Sequence, residues 1–426
     1  MNVASGRGQI EVARTGLVCS LGRSPAQAAL LLRAGHSELR LTPFGRPGRV
    51  LRMCHLRELP TDLVGFDRLL CLAAAALRQA LPEPPEAGEA AEPIPLLLAL
   101  PPVGRPDDDE VAAARFAENL RGHTGLSLDV ERSRTIRAGH ASGARLLAHG
   151  QQLLSDGDVP AVLVGGADGY FHPELLRQLD DDERILGRGN TDGFLPGEAA
   201  AFVLLRRPAR EADGPPLAHL CGVGAAEIPK DTTEAVDAWW RQGQAPKTRE
   251  ASESRGTHHP RSAAANRTLA AARRARGRAR LAFQRLARNT LGGGSAWWRR
   301  PNPSRRRFGR QPDPEDDAPP DVTVTMTELC ESVMAGKPVD WVLTDFNHGA
   351  LRTDEWDQVA RQLLSPEVVH SRLLGQLGDL GAATIPALLG LACAQWHIGS
   401  APAPAALLAA HSDDGERGAV LLRESP

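Results

Sequence analysis

The sequence has few aromatic residues, very little lysine and no long hydrophobic run. Aromatic residues make up 4% of the 426-residue chain, and only one of them is a tyrosine. No apolar stretch approaches the roughly 18–20 residues that a helix needs to cross a bilayer. Residues 1–9 lack the apolar segment of a secretory signal. These absences argue against a membrane protein and a secreted protein, and we expect a cytoplasmic one.

The chain also lacks the cysteine and glycine patterns of common ligand sites. Its six cysteines are scattered and form no Cys-x-x-Cys pair, so neither a disulfide framework nor a zinc module is predicted. The glycines at 187 and 189 lack the third glycine and the following helix of a dinucleotide-binding loop. We therefore expect no cofactor and no metal.

The formal net charge of −2 hides an uneven distribution of charge. Residues 241–310 contain 19 basic and two acidic residues, a net charge of +17, so the remainder of the chain carries −19. This segment has little apolar periodicity and many Gly and Pro residues, which is typical of disorder. Three other interpretations stay open: a dock for an acidic carrier protein, a stretch translated in a shifted reading frame, and a nucleic-acid site where Trp297 and Trp298 stack on bases.

Outside the basic segment, short apolar runs alternate with amphipathic helical patterns, which indicates a layered α/β fold. The helix predicted at 382–395 is apolar nearly all round, so we expect it to be buried at the centre of the fold. The predicted strands lie at 94–100, 161–165, 200–205, 339–345 and 418–422, and the other predicted helices at 25–34, 66–80, 110–120, 141–155, 328–335 and 355–364.

Three sequence motifs follow one another along the chain. The first is RTGLVCSLG at 14–22. The second joins ASG at 141–143 to GGAD at 165–168 and DGFLPGEAA at 192–200. The third joins DFNHG at 345–349 to GDLGAA at 378–383 and RGAVLL at 417–422. In this order they resemble the β-ketoacyl-acyl-carrier-protein synthases, or ketosynthases, of the thiolase superfamily.

The resemblance covers roughly residues 10–227 and 322–424 and implies a thiolase-like five-layer αβαβα fold of two similar halves. It divides the chain into an N-terminal half at 1–227, the Arg-rich, disordered insert at 228–321, and a C-terminal half at 322–426. It also implies a dimer, either with a second copy or with another ketosynthase-like subunit. The binding partner it implies is an acyl carrier protein or an acyl thioester.

The same resemblance implies a catalytic site that this sequence has altered. In ketosynthases a cysteine nucleophile immediately precedes the Ala-Ser-Gly turn, and His140 stands in that position. Of the two histidines that act on the extender unit, His348 matches the first and Asp379 replaces the second. An ionised Asp379 would destabilise the enolate that forms on decarboxylation, and the residue is also a candidate N-cap of the helix that follows. We therefore predict His140, His348 and Asp379 as the altered site.

The other polar residues of the second motif are predicted to be structural. Asp168, Asp192 and Glu198 serve turns and contacts between layers in the fold that the chain resembles. Ser142 has no partnered base in the sequence and is expected to pack or to cap a helix.

Three functions are compatible with the sequence. The preferred hypothesis is a catalytically degenerate ketosynthase-like protein that acts as a partner subunit in fatty-acid or polyketide-type acyl metabolism, because an acyl-imidazole on His140 would be labile. An active acyltransferase or ketosynthase-type enzyme with a rearranged site, including His140 and His348, is the second. The third is an interaction protein that binds nucleic acid or an acidic partner through residues 241–310.

Overall fold

The computed structural model describes residues 2–4, 10–45, 50–81, 92–125, 127–157, 159–187, 190, 193–208, 214–227, 323–346 and 350–425. The basic segment at 241–310, the predicted insert at 228–321, Asp192 and His348 all lie outside the described residues. The predictions for their structure therefore stay predictions.

The described residues form strands and helices in alternation along both halves of the chain. The strands are β1 Asn2–Ala4, β2 Ile10–Cys19, β3 Leu39–Leu41, β4 Arg52–Cys54, β5 Leu96–Leu100, β6 Arg134–Arg137, β7 Ala161–Gly169, β8 Glu198–Arg206, β9 Ala218–Glu227, β10 Trp341–Thr344, β11 Val369–Ser371, β12 Ala405–His411 and β13 Glu416–Glu424. The helices are α1 Pro25–Arg33, α2 Gly65–Ala80, α3 Glu110–Thr124, α4 Ser142–Ser155, α5 Pro173–Asp181, α6 Thr323–Met334, α7 Ala350–Leu363, α8 Leu374–Leu377 and α9 Thr384–His397. A 3-10 turn, Gly381–Ala383, precedes α9.

The two halves of the chain repeat one sheet topology. The N-terminal half places its strands in the order β6-β5-β7-β8-β2, and the C-terminal half in the order β11-β10-β12-β13-β9. Strand β9 is the first strand of the second repeat, although its residues, 218–227, lie before the predicted boundary at 227. In each half the spatial order is therefore third, second, fourth, fifth and first. The third, second and fourth strands are parallel, and the fifth is antiparallel to both of its neighbours. This repeat confirms the prediction of two similar halves, which join where β2 pairs with β9.

Two helices lie between the two half-sheets. Helix α4 contacts β5 and β7 of the N-terminal half and β9 and β13 of the C-terminal half, and α9 contacts β7 and β8 on one side and β12 and β13 on the other. Helices α2 and α6 cover the outer faces of the two half-sheets, with α3 and α7 packed beside them. The order of layers is thus helix, sheet, helix, sheet, helix, as predicted.

The central position of α9 follows from its composition. Twelve of its fourteen residues are buried, including Thr384 and Trp396, and none of the fourteen is acidic or a Lys or Arg. A helix that is apolar all round is stable only where neighbours cover every face. The prediction of a buried central helix is therefore confirmed.

Two glycines allow the turn before α9 to lie directly on β7. A Cβ atom on Gly166 would lie 2.3 Å from the carbonyl oxygen of Ala382, and one on Gly381 would lie 2.0 Å from Oδ2 of Asp168. Gly381 also has a φ of +48°, which disfavours other residues. The close approach of this turn to β7 brings Asp379 to the end of that strand.

The sequence patterns missed several elements of the sheet. Strand β12 is rich in alanine and β9 contains two glycines, and neither residue favours strands by itself. Burial against α9 and the pairing with β13 determine the structure of these segments instead. In the part of the chain that the structure describes, no helix is long and apolar enough to cross a membrane.

Candidate functional site

His140 lies in the turn that leads into α4, at the junction of the two halves. The residue is 5% exposed. The turn is held by Ser142, whose hydroxyl donates to the carbonyl oxygen of Gly139 at 2.6 Å, and by Ser412, whose hydroxyl accepts the N–H of Ala141 at 2.9 Å. Gly139 must be a glycine, because a Cβ there would lie 2.7 Å from the side chain of Ser412.

Asp379 is the partner of His140. Its Oδ1 lies 2.5 Å from Nε2 of His140 and accepts the N–H of Gly381 at 2.9 Å. The backbone N–H of Asp379 donates to the carbonyl oxygen of Leu195 at 2.7 Å, which fixes the residue beside the loop that enters β8. Asp379 is 1% exposed, so the pair is shielded from bulk water.

Tyr170, the single tyrosine of the chain, is the third member of this group. It directly follows β7, and its hydroxyl donates to Oδ1 of Asp379 at 3.0 Å. Its ring packs on that of Phe194, with ring centroids 5.2 Å apart, and the guanidinium carbon of Arg105 lies 5.2 Å from the ring centroid. Burial, and then the negative charge of Asp379, raise the pKa of Tyr170 well above its ordinary value. The phenol is therefore neutral at physiological pH.

Asp168 supports the turn that carries Asp379. One carboxylate oxygen lies 2.7 Å from the guanidinium of Arg105, and the other accepts the N–H of Ala382 at 2.9 Å. Arg105 also donates to the carbonyl oxygen of Gly169 at 2.7 Å. Asp168 thus connects β7, the loop after β5 and the turn before α9, in agreement with the structural role predicted for it.

Glu198, at the start of β8, also contributes to packing rather than to the site. Its carboxylate accepts two hydrogen bonds from Arg68, at 2.6 and 2.9 Å, and the N–H of Leu56 at 2.7 Å. Both charged side chains are almost completely buried. A bidentate pair of this kind satisfies both charges within the protein.

A second buried group of charged residues lies behind the hairpin that joins β12 to β13. Nδ1 of His411 lies 2.9 Å from Asp345, and Arg417 donates to Glu355 at 2.9 Å. Glu355 in turn lies 3.7 Å from Nε2 of His411. Ser412, which holds the His140 turn, is the residue next to His411. The hairpin therefore connects this group to the candidate site.

The structure brings together two of the three predicted site residues. His140 and Asp379 are in direct contact, whereas His348 lies outside the described residues. The prediction that Asp379 is the N-cap of the following helix is wrong, because the N-cap of α9 is Ala383 and Asp379 instead bonds to Gly381 in the preceding 3-10 turn. Ser142 does not cap α4 and packs against its own turn.

Sequence reasoning missed Tyr170 and Ser412. A usable signal for Tyr170 was its position directly after a predicted strand that ends in GGAD, since functional side chains collect at the carboxyl ends of strands in α/β folds. Ser412 carries no comparable signal, because its contact with Ala141 depends on how the two halves pack.

The chemistry available to this group is proton transfer and hydrogen bonding. A carboxylate beside an imidazole fixes the ring's orientation and tautomer, as in acid–base sites. No thiol takes part, and burial raises the pKa of the Cys19 thiol to about 11 and of the Cys393 thiol to about 12. Within the described ranges, no three His, Cys, Asp or Glu side chains lie close enough together to hold a metal ion.

Comparisons with known proteins identify the fold. No family model and no curated protein sequence matches the chain. Among solved structures, the ishigamide ketosynthase/chain length factor is 18% identical with a TM-score of 0.58, over 98% of this chain and all of that one. A ketosynthase in complex with its chain length factor from Xenorhabdus doucetiae is 16% identical with a TM-score of 0.59, over 98% of each chain.

A third structure extends the same likeness. A type II polyketide synthase acyl carrier protein in complex with its hexaketide-bound ketosynthase is 12% identical with a TM-score of 0.63, over 98% of this chain and 99% of that one. The chain therefore has the thiolase-like fold of ketosynthases and chain length factors, as its motifs predicted. At sequence identities this low, the structural likeness shows the fold alone. It does not show the activity.

Proposed function

We propose that this protein is a ketosynthase-like partner subunit that does not condense acyl groups. The observation that carries the proposal is the pairing of His140 with Asp379 at 2.5 Å. The motif resemblance predicts that His140 stands where ketosynthases have a cysteine nucleophile. A condensing enzyme needs a thiolate that forms a stable thioester, and imidazole forms only a labile acyl derivative.

The backbone around His140 supports the same proposal. Stabilising the oxyanion of an attacked thioester requires N–H groups that point at the reacting carbonyl. The N–H of Ala141 is bonded to the Ser412 hydroxyl, and the N–H of Ser412 is bonded to Glu416 within the hairpin. The donor before α4 and the donor in the hairpin beside it are therefore both occupied by the protein itself.

The proposed partner is a second ketosynthase-like subunit or an acyl carrier protein. Support comes from the solved structures with the same fold, which include a ketosynthase with its chain length factor and a ketosynthase with an acyl carrier protein. In a heterodimer of this kind, a chain that does not condense acyl groups would act as the partner subunit in fatty-acid or polyketide-type metabolism.

The test is incubation of the purified protein with acyl and malonyl thioesters, followed by intact-mass and peptide mass spectrometry. We expect no stable acyl adduct at residue 140, no decarboxylation and no condensation product. Cys71 is an exposed free cysteine, so a Cys71→Ser variant controls for adventitious acylation. Condensation or decarboxylation that is lost in His140→Gln would overturn the proposal.

One observation favours a second candidate, an active acyltransferase with a rearranged site. The buried His140–Asp379 pair resembles the imidazole–carboxylate pairs that act as general bases. The same incubation distinguishes it, since this candidate requires thioester consumption that disappears in both His140→Gln and Asp379→Asn. The third function, binding of nucleic acid through 241–310, concerns residues outside the described ranges and stays a prediction, tested by salt-dependent binding.

A further inference from the structure

The carboxylate of Glu416 is buried at the base of the hairpin that joins β12 to β13. Its side chain is 5% exposed, and one of its oxygens lies 3.3 Å from Nε of Arg145 on α4. The other oxygen has no hydrogen-bond partner among the described residues. The residue directly opposite in the strand pair is Glu227, at the end of β9. A buried carboxylate with an unpaired oxygen and a like charge opposite it loses free energy of stabilisation when it ionises.

The backbone of the same residue closes the hairpin onto the turn that carries His140. The carbonyl oxygen of Glu416 accepts the N–H of Ser412 at 2.8 Å, and the Ser412 hydroxyl accepts the N–H of Ala141 at 2.9 Å. Two residues along β13, Gly418 lies against the same turn, since a Cβ there would lie 3.0 Å from the carbonyl oxygen of Ala141. A movement of Glu416 toward water therefore disturbs the contact with the His140 turn.

The charges around Glu416 favour its protonated form. Burial raises the pKa of Glu416 from 4.5 to about 7, and the negative charges of Asp414 and Glu227 add to this rise. Arg145 acts in the opposite direction, but it is 45% exposed, so water weakens its attraction for the carboxylate. The stability that the closed hairpin gains from this proton is fully present below about pH 4.5 and is lost as the pH rises through about 7.

Other charged side chains beside the hairpin form pairs of their own. These pairs are Arg417 with Glu355, His411 with Asp345, and Arg184 with Asp413. Helix α6 packs on β9 and β13 through apolar side chains such as that of Met326, and its Glu328 and Glu331 are exposed. Compensation of an ionised Glu416 therefore depends on Arg145.

We propose that the β12–β13 hairpin is a pH-sensitive clamp on the turn that carries His140. The clamp is closed while Glu416 is protonated. It opens more often when Glu416 is ionised, because local opening of the hairpin lets the carboxylate reach water. This inference rests on the proposed function for the statement that the turn belongs to the functional site.

Hydrogen exchange of the full-length protein tests the clamp. Mass spectrometry with electron-transfer fragmentation resolves single amides, and protection factors remove the intrinsic pH dependence of exchange. Between pH 5 and pH 8 we expect the protection factors of Ala141 and Ser412 to fall about thirtyfold in the wild type. In Glu416→Gln, which cannot ionise, we expect them to fall less than about threefold.

Two controls separate opening of the hairpin from other causes of exchange. Glu424→Gln changes an exposed glutamate of the same strand and should keep the wild-type loss. The N–H of Leu163 in β7, which donates to Pro95 at 2.9 Å, reports global unfolding. Equal protection factors for Ala141 and Leu163 at both pH values would mean that no local opening occurs and would overturn the inference. A loss at Ala141 that persists in Glu416→Gln would overturn it as well.

Two further variants keep Glu416 in place and remain informative if Glu416→Gln does not fold. Glu227→Gln removes the opposing charge and should move the upper end of the pH range of the loss to lower pH. Arg145→Gln removes the attracting cation and should move it to higher pH. Shifts of the same sign, or no shift, would show that the carboxylate does not control the hairpin. A β-ketoacyl product would overturn the proposed function without changing these exchange results.

Discussion

The two halves of the molecule share one strand order but differ in the charged neighbours of the glutamate that opens the fifth strand. Glu198 opens β8 in the N-terminal half, and Glu416 opens β13 in the C-terminal half. Glu198 is fully buried and receives two hydrogen bonds from Arg68. Glu416 is 4% exposed, has Arg145 at 3.3 Å, and stands directly opposite Glu227 across the strand pair.

The two halves therefore have the same strand order but different charges around this glutamate. In the N-terminal half the buried charge is compensated by a cation at hydrogen-bond distance. In the C-terminal half one oxygen of Glu416 has no partner, and burial raises the pKa of Glu416 from 4.5 to about 7. The same position is therefore a stable ion pair in one half and a group that titrates near neutrality in the other.

The largest expected effect comes from breaking the compensated pair. Arg68→Ala leaves the carboxylate of Glu198 buried without its cation, and we expect the free energy of unfolding to fall by about 3–5 kcal/mol. Urea denaturation measures this loss. The matched control is Arg132→Ala, which breaks a less buried pair, with Arg132 43% and Asp129 14% exposed, and should cost less than about 1 kcal/mol. Similar losses in the two variants would contradict the comparison.

Glu416→Gln should have the opposite effect, which grows as the pH rises above about 4.5 and is complete above neutral pH. Because the folded-state pKa of about 7 exceeds the ordinary 4.5, the folded protein holds this proton more tightly than the unfolded chain does. The wild type therefore loses stability as the pH rises from about 4.5 to 7, whereas the glutamine variant does not share this loss. We expect a gain on the order of 2 kcal/mol at pH 8 and little change at pH 4.5.

Urea denaturation at the two pH values measures the effect of Glu416→Gln. Asp414→Asn is the control, because it removes a nearby acidic charge from the hairpin turn without filling the buried position. A glutamine variant that is destabilised equally at both pH values would show that the Glu416 carboxylate is well paired after all, and the two halves would then not differ in this respect.

The sequence predicted the class of fold, although not every strand, and it did not predict the contacts of the site. Hydrophobic runs predicted the α/β layers and the buried helix α9, because these depend on patterns local to each element. The two similar halves were predicted only through the family that the three motifs resemble. The pairing of His140 with Asp379 joins residues that are 239 positions apart, and Tyr170 is 209 positions from Asp379. Contacts between residues so far apart in the sequence depend on how the halves pack. The motifs therefore predicted which residues form the site, but not which residues contact them.

A smaller prediction concerns the side chain with which each half holds the turn that precedes the central helix of the other. Ser412, which follows β12, accepts the N–H of Ala141 before α4, and Asp168 near the end of β7 accepts the N–H of Ala382 before α9. Ser412→Ala removes a neutral hydrogen bond, and we expect it to lower the free energy of unfolding by about 1 kcal/mol. Urea denaturation of Ser412→Ala and Ser412→Thr checks this, since threonine keeps the hydroxyl.

The contact made by Asp168 should contribute more to stability than the contact made by Ser412. Asp168→Asn weakens the hydrogen bond from the N–H of Ala382 and also the contact with Arg105, so it should cost more than Ser412→Ala. If Ser412→Ala is neutral while the N–H of Ala141 stays protected from hydrogen exchange, another acceptor has replaced the hydroxyl and the contacts that hold the two turns are not equivalent.

The smallest expected effect concerns the ends of two outer helices. Helix α3 of the N-terminal half ends at Gly125, with a φ of +73°, whereas α6 of the C-terminal half is followed by Ala335 with a φ of +48°. A left-handed conformation costs alanine free energy that glycine does not lose. Ala335→Gly should therefore raise the free energy of unfolding by about 0.5–1 kcal/mol, and Gly125→Ala should lower it by a similar amount. Urea denaturation of both variants should give effects of opposite sign, and effects of the same sign would show that packing rather than backbone conformation determines the cost at one of the two ends.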